Sequence, residues 1–269
     1  MTELTDVLLV KIGGGAELNL DGIAADLALV PGPVVVVHGA NALRDRLALQ
    51  LGMSKRVLTS VSGYDSVYSD DAAIDLLMLA YAGLANKRIV EQLQRHGRNA
   101  IGLTGMDGRL VGATRNQGVR VREAGKTMLV RDRSGKPATV NGPLLHQLLD
   151  GGYTPVVTVP LIDETGAAVN AENDDVIVAL QGVVRAARII QLIEAPGLLA
   201  DRDDPTSVMA RVSVAELNRR EALATGRFKR KLYALKKLFL DAAPIVTIAD
   251  GRTAHPVADA LAGKGTLIG

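Results

Sequence analysis

Val7-Leu8-Leu9-Val10-Lys11-Ile12-Gly13-Gly14-Gly15 is the stretch from which both the fold and the chemistry of this chain are read. Four apolar residues in a row, Val7–Val10, have the length of a strand buried on both faces. A lysine follows where such a strand emerges, and then three glycines. Glycine has no Cβ, so its backbone N–H groups can approach an anion closely. A cation beside bare amides at the end of a buried strand suits a polyphosphate. A tight turn after a strand would use the same residues. The stretch matches neither of the two best-known phosphate loops. Leu18 stands where GxGxxG needs its third glycine, and Gly263-Lys264 has Ala258 upstream and Gly265 downstream, so it is not a Walker A loop.

Outward from this strand, apolar runs alternate with helical spacing. The pattern predicts helix over 20–29, strand over 34–37, and helix over 42–51 stopped by Gly52. Ser69-Asp70-Asp71 caps a helix running through Met78 and Tyr81, and a second helix runs from about Ala85 to His96. Strand is expected over 100–104 and β-hairpins over 108–136. Helix follows over 141–149, strand over 154–159, helix over 173–184 and strand over 189–193. The last elements are helices over 214–224, 228–240 and 256–261 and strands over 245–248 and 266–268. Helices alternating with apolar strands imply α/β architecture: a mainly parallel sheet covered on both faces. A turn at Asp163–Ala168 is the most plausible lobe boundary.

Composition narrows the function. The 269 residues suffice for one large domain or two small lobes. No apolar run approaches a membrane span, and Met-Thr-Glu-Leu-Thr-Asp at the start lacks a signal-peptide pattern, so a cytoplasmic protein without membrane contact is expected. The absence of cysteine excludes disulfides and thiolate catalysis, and no pair among His38, His96, His146 and His255 has metal-ligand spacing. A formal net charge of +2 and 3% aromatic residues argue against nucleic-acid binding.

Four clusters lie at ends of predicted strands, where open α/β sheets bind ligands. The first is Lys11 with Gly13–Gly15. The second is Gly39-Ala40-Asn41, leading into a helix whose free N–H groups would hold a carboxylate. The third is Asn170-Ala171-Glu172-Asn173-Asp174, richer in polar side chains than one helix cap needs. The fourth is Gly226-Arg227-Phe228-Lys229-Arg230-Lys231, with four cations in five residues. Such a run also serves as a solvated helix face, but cations at a helix start oppose the macrodipole, a cost that an anionic ligand would offset. Lysines from opposite ends of the chain and several glycine turns suggest phosphoryl transfer to an anion. There the protein aligns donor and acceptor and neutralises their charge.

In order along the chain, Val10-Lys11-Ile12-Gly13-Gly14, Val37-His38-Gly39, Gly83-Leu84-Ala85-Asn86-Lys87, Ile101-Gly102-Leu103, Gly152-Tyr153-Thr154-Pro155-Val156, Pro196-Gly197-Leu198-Leu199 and Gly263-Lys264-Gly265-Thr266 resemble the amino acid kinase family. The likeness is closest to the acetylglutamate kinases and spans essentially the whole chain. It implies a three-layer αβα sandwich, dimeric, with residues 1–163 binding the acyl acceptor and residues 164–269 binding ATP. Within that group the chain most resembles kinases of aminoadipate or glutamate attached to a small acidic amino-group carrier protein. The basic 226–231 segment carries that likeness. So does the 109–136 region, where Arg109, Arg115, Arg120, Arg122, Lys126, Arg131, Arg133 and Lys136 face only Glu123 and Asp132. Such a surface attracts an acidic partner and speeds its encounter.

The resemblance implies that Lys11 and Lys231 flank the migrating phosphoryl group and that Asp174 orients both. It places Gly13 and Gly14 at the phosphates, the Gly39 and Ala40 amides at the substrate carboxylate, and Asn170 at the substrate amide. Glu194, Gly197, Leu199 and Lys229 would border the nucleotide, and Arg115, Arg120 and Arg122 would dock the carrier. ATP would bring Mg2+ held mainly by its phosphates, with no metal site of the protein's own. There are departures. Tyr64-Asp65-Ser66-Val67-Tyr68 lacks the arginine that family members usually place there for the substrate α-carboxylate, with Arg44 a candidate to substitute. Ala40, Glu172 and Ile193-Glu194 replace a glycine, an asparagine and a Ser-Asp-like pair. The alternatives are an N-acetylglutamate kinase of arginine synthesis and a non-catalytic nucleotide or amino-acid sensor on the same fold.

Overall fold

The first strand is longer than its apolar run suggests. In the computed structural model, which describes residues 6–54, 56–61, 65–123, 126–201, 203–224, 226–240 and 243–269, β1 spans Leu8–Ile12 and is buried throughout. Residues 1–5, Tyr64 and residues 124–125, parts of stretches read above, lie outside these residues. Lys11 therefore sits inside the strand and not beyond its end. Ladders on both sides extend that far, pairing Lys11 with Val37 of β2 (Val34–His38) and with Gln191 of β13 (Arg188–Ile193), both parallel. Burial alternates along β1. Val7 and Leu9 enter one core, and Leu8, Val10 and Ile12 the other.

Eight strands form the main sheet in the order β14-β16-β15-β13-β1-β2-β10-β5. The further members are β5 (Ala100–Thr104), β10 (Thr154–Thr158), β14 (Arg211–Val212), β15 (Ile245–Asp250) and β16 (Thr266–Ile268). Only the β15–β16 pair is antiparallel. On one face lie α1 (Leu20–Leu29), α4 (Asn86–Arg95) and α9 (Pro256–Leu261), through Ile23, Leu27, Ile89, Leu93 and Val257. On the other lie α3 (Asp71–Leu77), α5 (Gly142–Asp150), α6 (Asn173–Val184), α7 (Val214–Leu223) and α8 (Gly226–Lys237). This is the αβα sandwich expected. No described helix is long and apolar enough to cross a membrane.

One expectation needs correction. The two helices expected over 69–81 and 85–96 form a single helical run, α3 passing through a π-helical segment, Met78–Ala85, into α4. No proline or capping residue interrupts it, and the flanking Leu77 and Ala85 keep helical dihedrals. The wider turn shifts the phase of the buried face. Ile74, Leu77, Ala80 and Tyr81 serve one core, whereas Ile89 and Leu93 serve the other.

The hairpins are nested. β6 (Val111–Arg115) pairs antiparallel with β9 (Gly135–Val140), and between them β7 (Val119–Glu123) folds back on β8 (Lys126–Val130). A second sheet, β12-β11-β6-β9, adds Ala168–Val169 (β12) and Leu161–Asp163 (β11). The sequence pattern does not signal β11, β12, β14 or the small hairpin β3 (Val57–Thr59) and β4 (Asp65–Val67), all two or three residues long. That small hairpin joins β7 through a bridge between Ser60 and Val121, and the Val61 N–H donates to the Arg120 carbonyl at 2.8 Å.

Candidate active site

Strand alternation turns Lys11 toward the core that contains α6, where its Nζ donates to Asp174 Oδ1. The two side chains are only 10% and 14% exposed. A lone ammonium at that depth would be costly, and the carboxylate that meets it stands in the first turn of α6, the end a macrodipole makes favourable for an anion.

The glycine turn after β1 lies on the start of α2 (Asn41–Gln50): Gly13 N–H donates to the Leu192 carbonyl and Ala42 N–H to the Gly14 carbonyl, each at 2.9 Å. A Cβ on Gly14 would stand 2.7 Å from Asn41 N and 2.9 Å from Ala40 N, backbone atoms that cannot yield. Gly39 N–H is engaged with the Ile12 carbonyl at 2.9 Å, so the Gly39 amide expected at the substrate carboxylate already has a partner. Gly14 packs against the backbone nitrogens of Ala40 and Asn41, and the Ala40 N–H meets the Tyr81 hydroxyl. Two positioning groups went unassigned in the sequence. The Tyr81 hydroxyl, which burial pushes up to about 12, donates to Asn41 Oδ1 at 2.6 Å. His38 lies with Nδ1 3.1 Å from the Gly39 carbonyl and Nε2 3.1 Å from Asn86 Nδ2. Burial lowers His38 to about 4, so the ring is neutral, and the network assigns the proton to Nδ1. Both residues belong to quoted motifs or predicted helices, but only their contacts reveal what they hold.

The Asn170–Asp174 cluster is no ordinary cap. Glu172 occupies the N-cap position without making a side-chain cap bond. Four side chains here instead reach other elements: Asn170 donates to Ser69 Oγ at 3.0 Å, Asp174 holds Lys11 of β1, and Glu172 and the neighbouring Asp175 both accept from α8, Glu172 from Arg230 and Asp175 from Lys237 at 3.0 Å. Asn170 borders a cavity of about 430 Å3 between α2, α3 and the β3–β4 hairpin, whose wall includes Arg44, Ala48, Arg56, Tyr68 and Ala73. Gly39 and Ala40 line a different cavity of about 420 Å3, with Gly13–Gly15, on the other side of α2. The three residues expected to bind substrate are thus divided between two spaces.

Lys231 is exposed on α8. The helix packs on α6, tied there by Arg230 to Glu172 and by Lys237 to Asp175, so it is fastened at the N-terminus that carries Asp174. For Arg230 the charge expected to call for an anionic ligand is met by Glu172. Lys229 is half-buried on the same helix. Glu194 sits against the glycine turn: its Oε1 accepts the Glu17 N–H at 2.6 Å, and a Cβ on Gly15 would fall inside its carboxyl group. Gly197 is buried, with φ of 158° and Thr266 close behind, so it shapes the loop. Leu199 bridges to Val208. On the hairpins, Arg120 and Arg122 are exposed on β7, whereas Arg115 is half-buried and donates through Nε to the Asp132 carbonyl at 3.1 Å.

A buried lysine–carboxylate pair thus stands beside a glycine turn at the C-terminal ends of parallel strands, where open α/β sheets bind ligands. The chain belongs to the amino acid kinase family, whose profile matches residues 6–249, and it is a kinase. It is 35% identical over 268 residues to the [LysW]-aminoadipate kinase of Thermus thermophilus, covering 97% of this chain and 100% of that one. It is 34% identical over 230 residues to an acetylglutamate kinase of Methanopyrus kandleri, covering 85% of this chain and 88% of that one. Among solved structures, N-acetylglutamate synthase from Neisseria gonorrhoeae superposes with a TM-score of 0.78 at 19% identity, covering 98% of this chain and 59% of that one, which speaks to the fold.

Proposed function

We propose that the protein transfers the γ-phosphoryl group of ATP to the side-chain carboxylate of an amino diacid, 2-aminoadipate or glutamate, borne on a small acidic carrier protein, giving an acyl phosphate. The observation that carries the reading is the Lys11–Asp174 pair beside the Gly13–Gly14 turn. A carboxylate attacking a γ-phosphate is anion approaching anion, and ammonium groups bridging the two favour the transition state. Lys11 supplies one such group from the acceptor lobe, residues 1–163. Lys231 supplies the other from the nucleotide lobe, residues 164–269, on a helix tied to the α6 start. Asp174 orients them. The Asn41 amide at the start of α2 receives the anion, Asn170 the acceptor amide, and the Glu194–Leu199 loop with Lys229 borders the nucleotide. Mg2+ neutralises phosphate charge and arrives on the phosphates, because the Asp174 carboxylate is engaged by Lys11.

Support for a carrier-borne acceptor comes from the hairpins. Arg120 and Arg122 lie on a strand joined through Ser60 and Val61 to the hairpin that walls the 430 Å3 cavity, so an acidic carrier seated there stands beside the cavity mouth. The name of the relative from Thermus thermophilus points the same way. A homodimer belongs to this reading, and the exposed Leu49, Leu79 and Leu84 are apolar surface available for it. ADP release measured with the carrier-borne diacid and with free N-acetylglutamate tests the proposal. Faster turnover of the carrier conjugate is expected. Preference for N-acetylglutamate would make this an arginine-pathway enzyme, and ATP binding without turnover of either would make it a sensor.

A further inference from the structure

The turn from β2 into α2, residues 38–41, is held from a single helical segment. Asn86 Nδ2 stands 3.1 Å from His38 Nε2, and His38 Nδ1 is 3.1 Å from the Gly39 carbonyl. The Ala40 N–H meets the Tyr81 hydroxyl, and that hydroxyl donates to Asn41 Oδ1 at 2.6 Å. Tyr81 and Asn86 are joined across the π turn, the Asn86 N–H donating to the Tyr81 carbonyl. Residues three or four apart share a face of an α-helix and residues five apart do not, so the π-helical segment is what lets both reach this turn. We infer that Tyr81 is a positioning residue for phosphoryl transfer, acting through Asn41, whose Nδ2 donates to the γ-phosphoryl group of the nucleotide. This rests on the kinase reading above.

Hydrogen-bond parity fixes the Asn41 amide. A backbone N–H only donates, so the Tyr81 oxygen accepts from Ala40 and its single proton goes to Asn41, which must present its oxygen. The Asn41 NH2 is then the end turned away from Tyr81. It has no partner among the described residues, and Asn41 is exposed. Tyr81 is only 3% exposed, so water does not compete for its hydroxyl. Asn41 also packs on the glycine turn. Its backbone nitrogen lies 2.7 Å from the place of a Gly14 Cβ, and the Ala42 N–H donates to the Gly14 carbonyl at 2.9 Å. The side-chain donor thus stands at the start of α2, where the macrodipole already favours an anion. Position separates this role from a structural one. An aspartate at residue 41 would keep the oxygen that Tyr81 needs and would suit the helix start; only the NH2 would be lost.

Binding is the test. The Mg2+ complexes of ADP and of the β,γ-imido analogue of ATP are titrated calorimetrically into the full chain as wild type, Asn41→Asp, Asn41→Ala, Tyr81→Phe and the double variant Asn41→Ala/Tyr81→Phe. Asn41→Asp should match or exceed the wild-type unfolding midpoint, bind ADP as the wild type does, and bind the analogue at least about tenfold more weakly, the scale of a lost charge-assisted hydrogen bond. Asn41→Ala should lose about tenfold on the analogue. Tyr81→Phe, which also strips the Ala40 N–H of its partner, should lose about threefold, and nothing further in the Asn41→Ala background. Undiminished analogue affinity in Asn41→Asp, equal losses for ADP and the analogue, no binding of either nucleotide, or a Tyr81→Phe loss that persists in the double variant would each overturn the inference. The two readings separate cleanly. Analogue affinity that depends on Asn41, without phosphorylation of a carrier-borne diacid, keeps the donor and refutes the proposed acceptor. Phosphorylation of the diacid with analogue affinity indifferent to Asn41 does the reverse.

Discussion

Asp174→Asn should be more damaging to stability than loss of the lysine it holds. Lys11 is 8% exposed, and removing the carboxylate leaves an ammonium there with no counter-charge. Breaking a buried pair from one side costs about 3–5 kcal/mol, and the residual exposure of both partners argues for the lower end, about 3 kcal/mol. In a chain of this size that corresponds to a fall of about 6 °C in Tm. Lys11→Met leaves Asp174 in the first turn of α6, where the macrodipole and nearby amides favour a carboxylate by about 0.3–1 kcal/mol. Its cost should be about 1 kcal/mol smaller. The double variant Lys11→Met/Asp174→Asn buries neither charge and should be no less stable than Asp174→Asn alone, giving a coupling of at least about 2 kcal/mol. Urea unfolding of the wild type, both single variants and the double variant measures the cycle, and turnover by all three variants should fall at least about 100-fold. Additive losses, or an Asp174→Asn midpoint equal to that of the wild type, would refute the reasoning.

Charge reversal at Arg120 and Arg122 should raise KM for a carrier-borne acceptor about tenfold at low salt and leave KM for ATP unchanged; equal effects on both would remove the hairpin as the docking face. Gly14→Ala forces a methyl group against Ala40 N and Asn41 N and should abolish activity. Gly182→Ala, inside α6 with no atom within 4 Å of the new Cβ, should stabilise by about 0.5–1 kcal/mol, which unfolding midpoints will show. His38 has its folded value lowered to about 4 from an ordinary 6.5. The unfolded chain therefore binds more protons between those values, and stability is fully present above pH 6.5 and is lost toward pH 4, by about 3 kcal/mol. In His38→Gln that acid limb should be flatter; an unchanged limb would place its origin elsewhere.

Strands buried on both faces were legible because Val7–Val10 and Val34–Val37 admit few other readings, and α6 and α9 begin and end where their patterns predict. The π-helical segment was not legible. Nothing in Met78–Ala85 announces a change of register, and only the switch of buried face from Tyr81 to Ile89 reveals it. Two-residue strands such as β12 and β14 carry no periodicity at all. At the site, residue types pointed to Lys11 and Asp174, whose pairing bridges 163 positions of sequence. The engagement of the Gly39 amide by Ile12 and the seating of Glu194 against Gly15 depend on how loops stack. Stacking of that kind leaves no spacing to read.

Two ammonium groups acting on one migrating phosphoryl group is the claim most open to direct refutation, and Lys231 is the partner to remove, being exposed and remote in sequence from Lys11. Steady-state ATP turnover on the carrier-borne diacid by Lys231→Ala should show kcat lowered at least about 100-fold, with KM for ATP within about threefold and an unchanged unfolding midpoint. A Lys231→Ala protein that turns over ATP at the wild-type rate would contradict it.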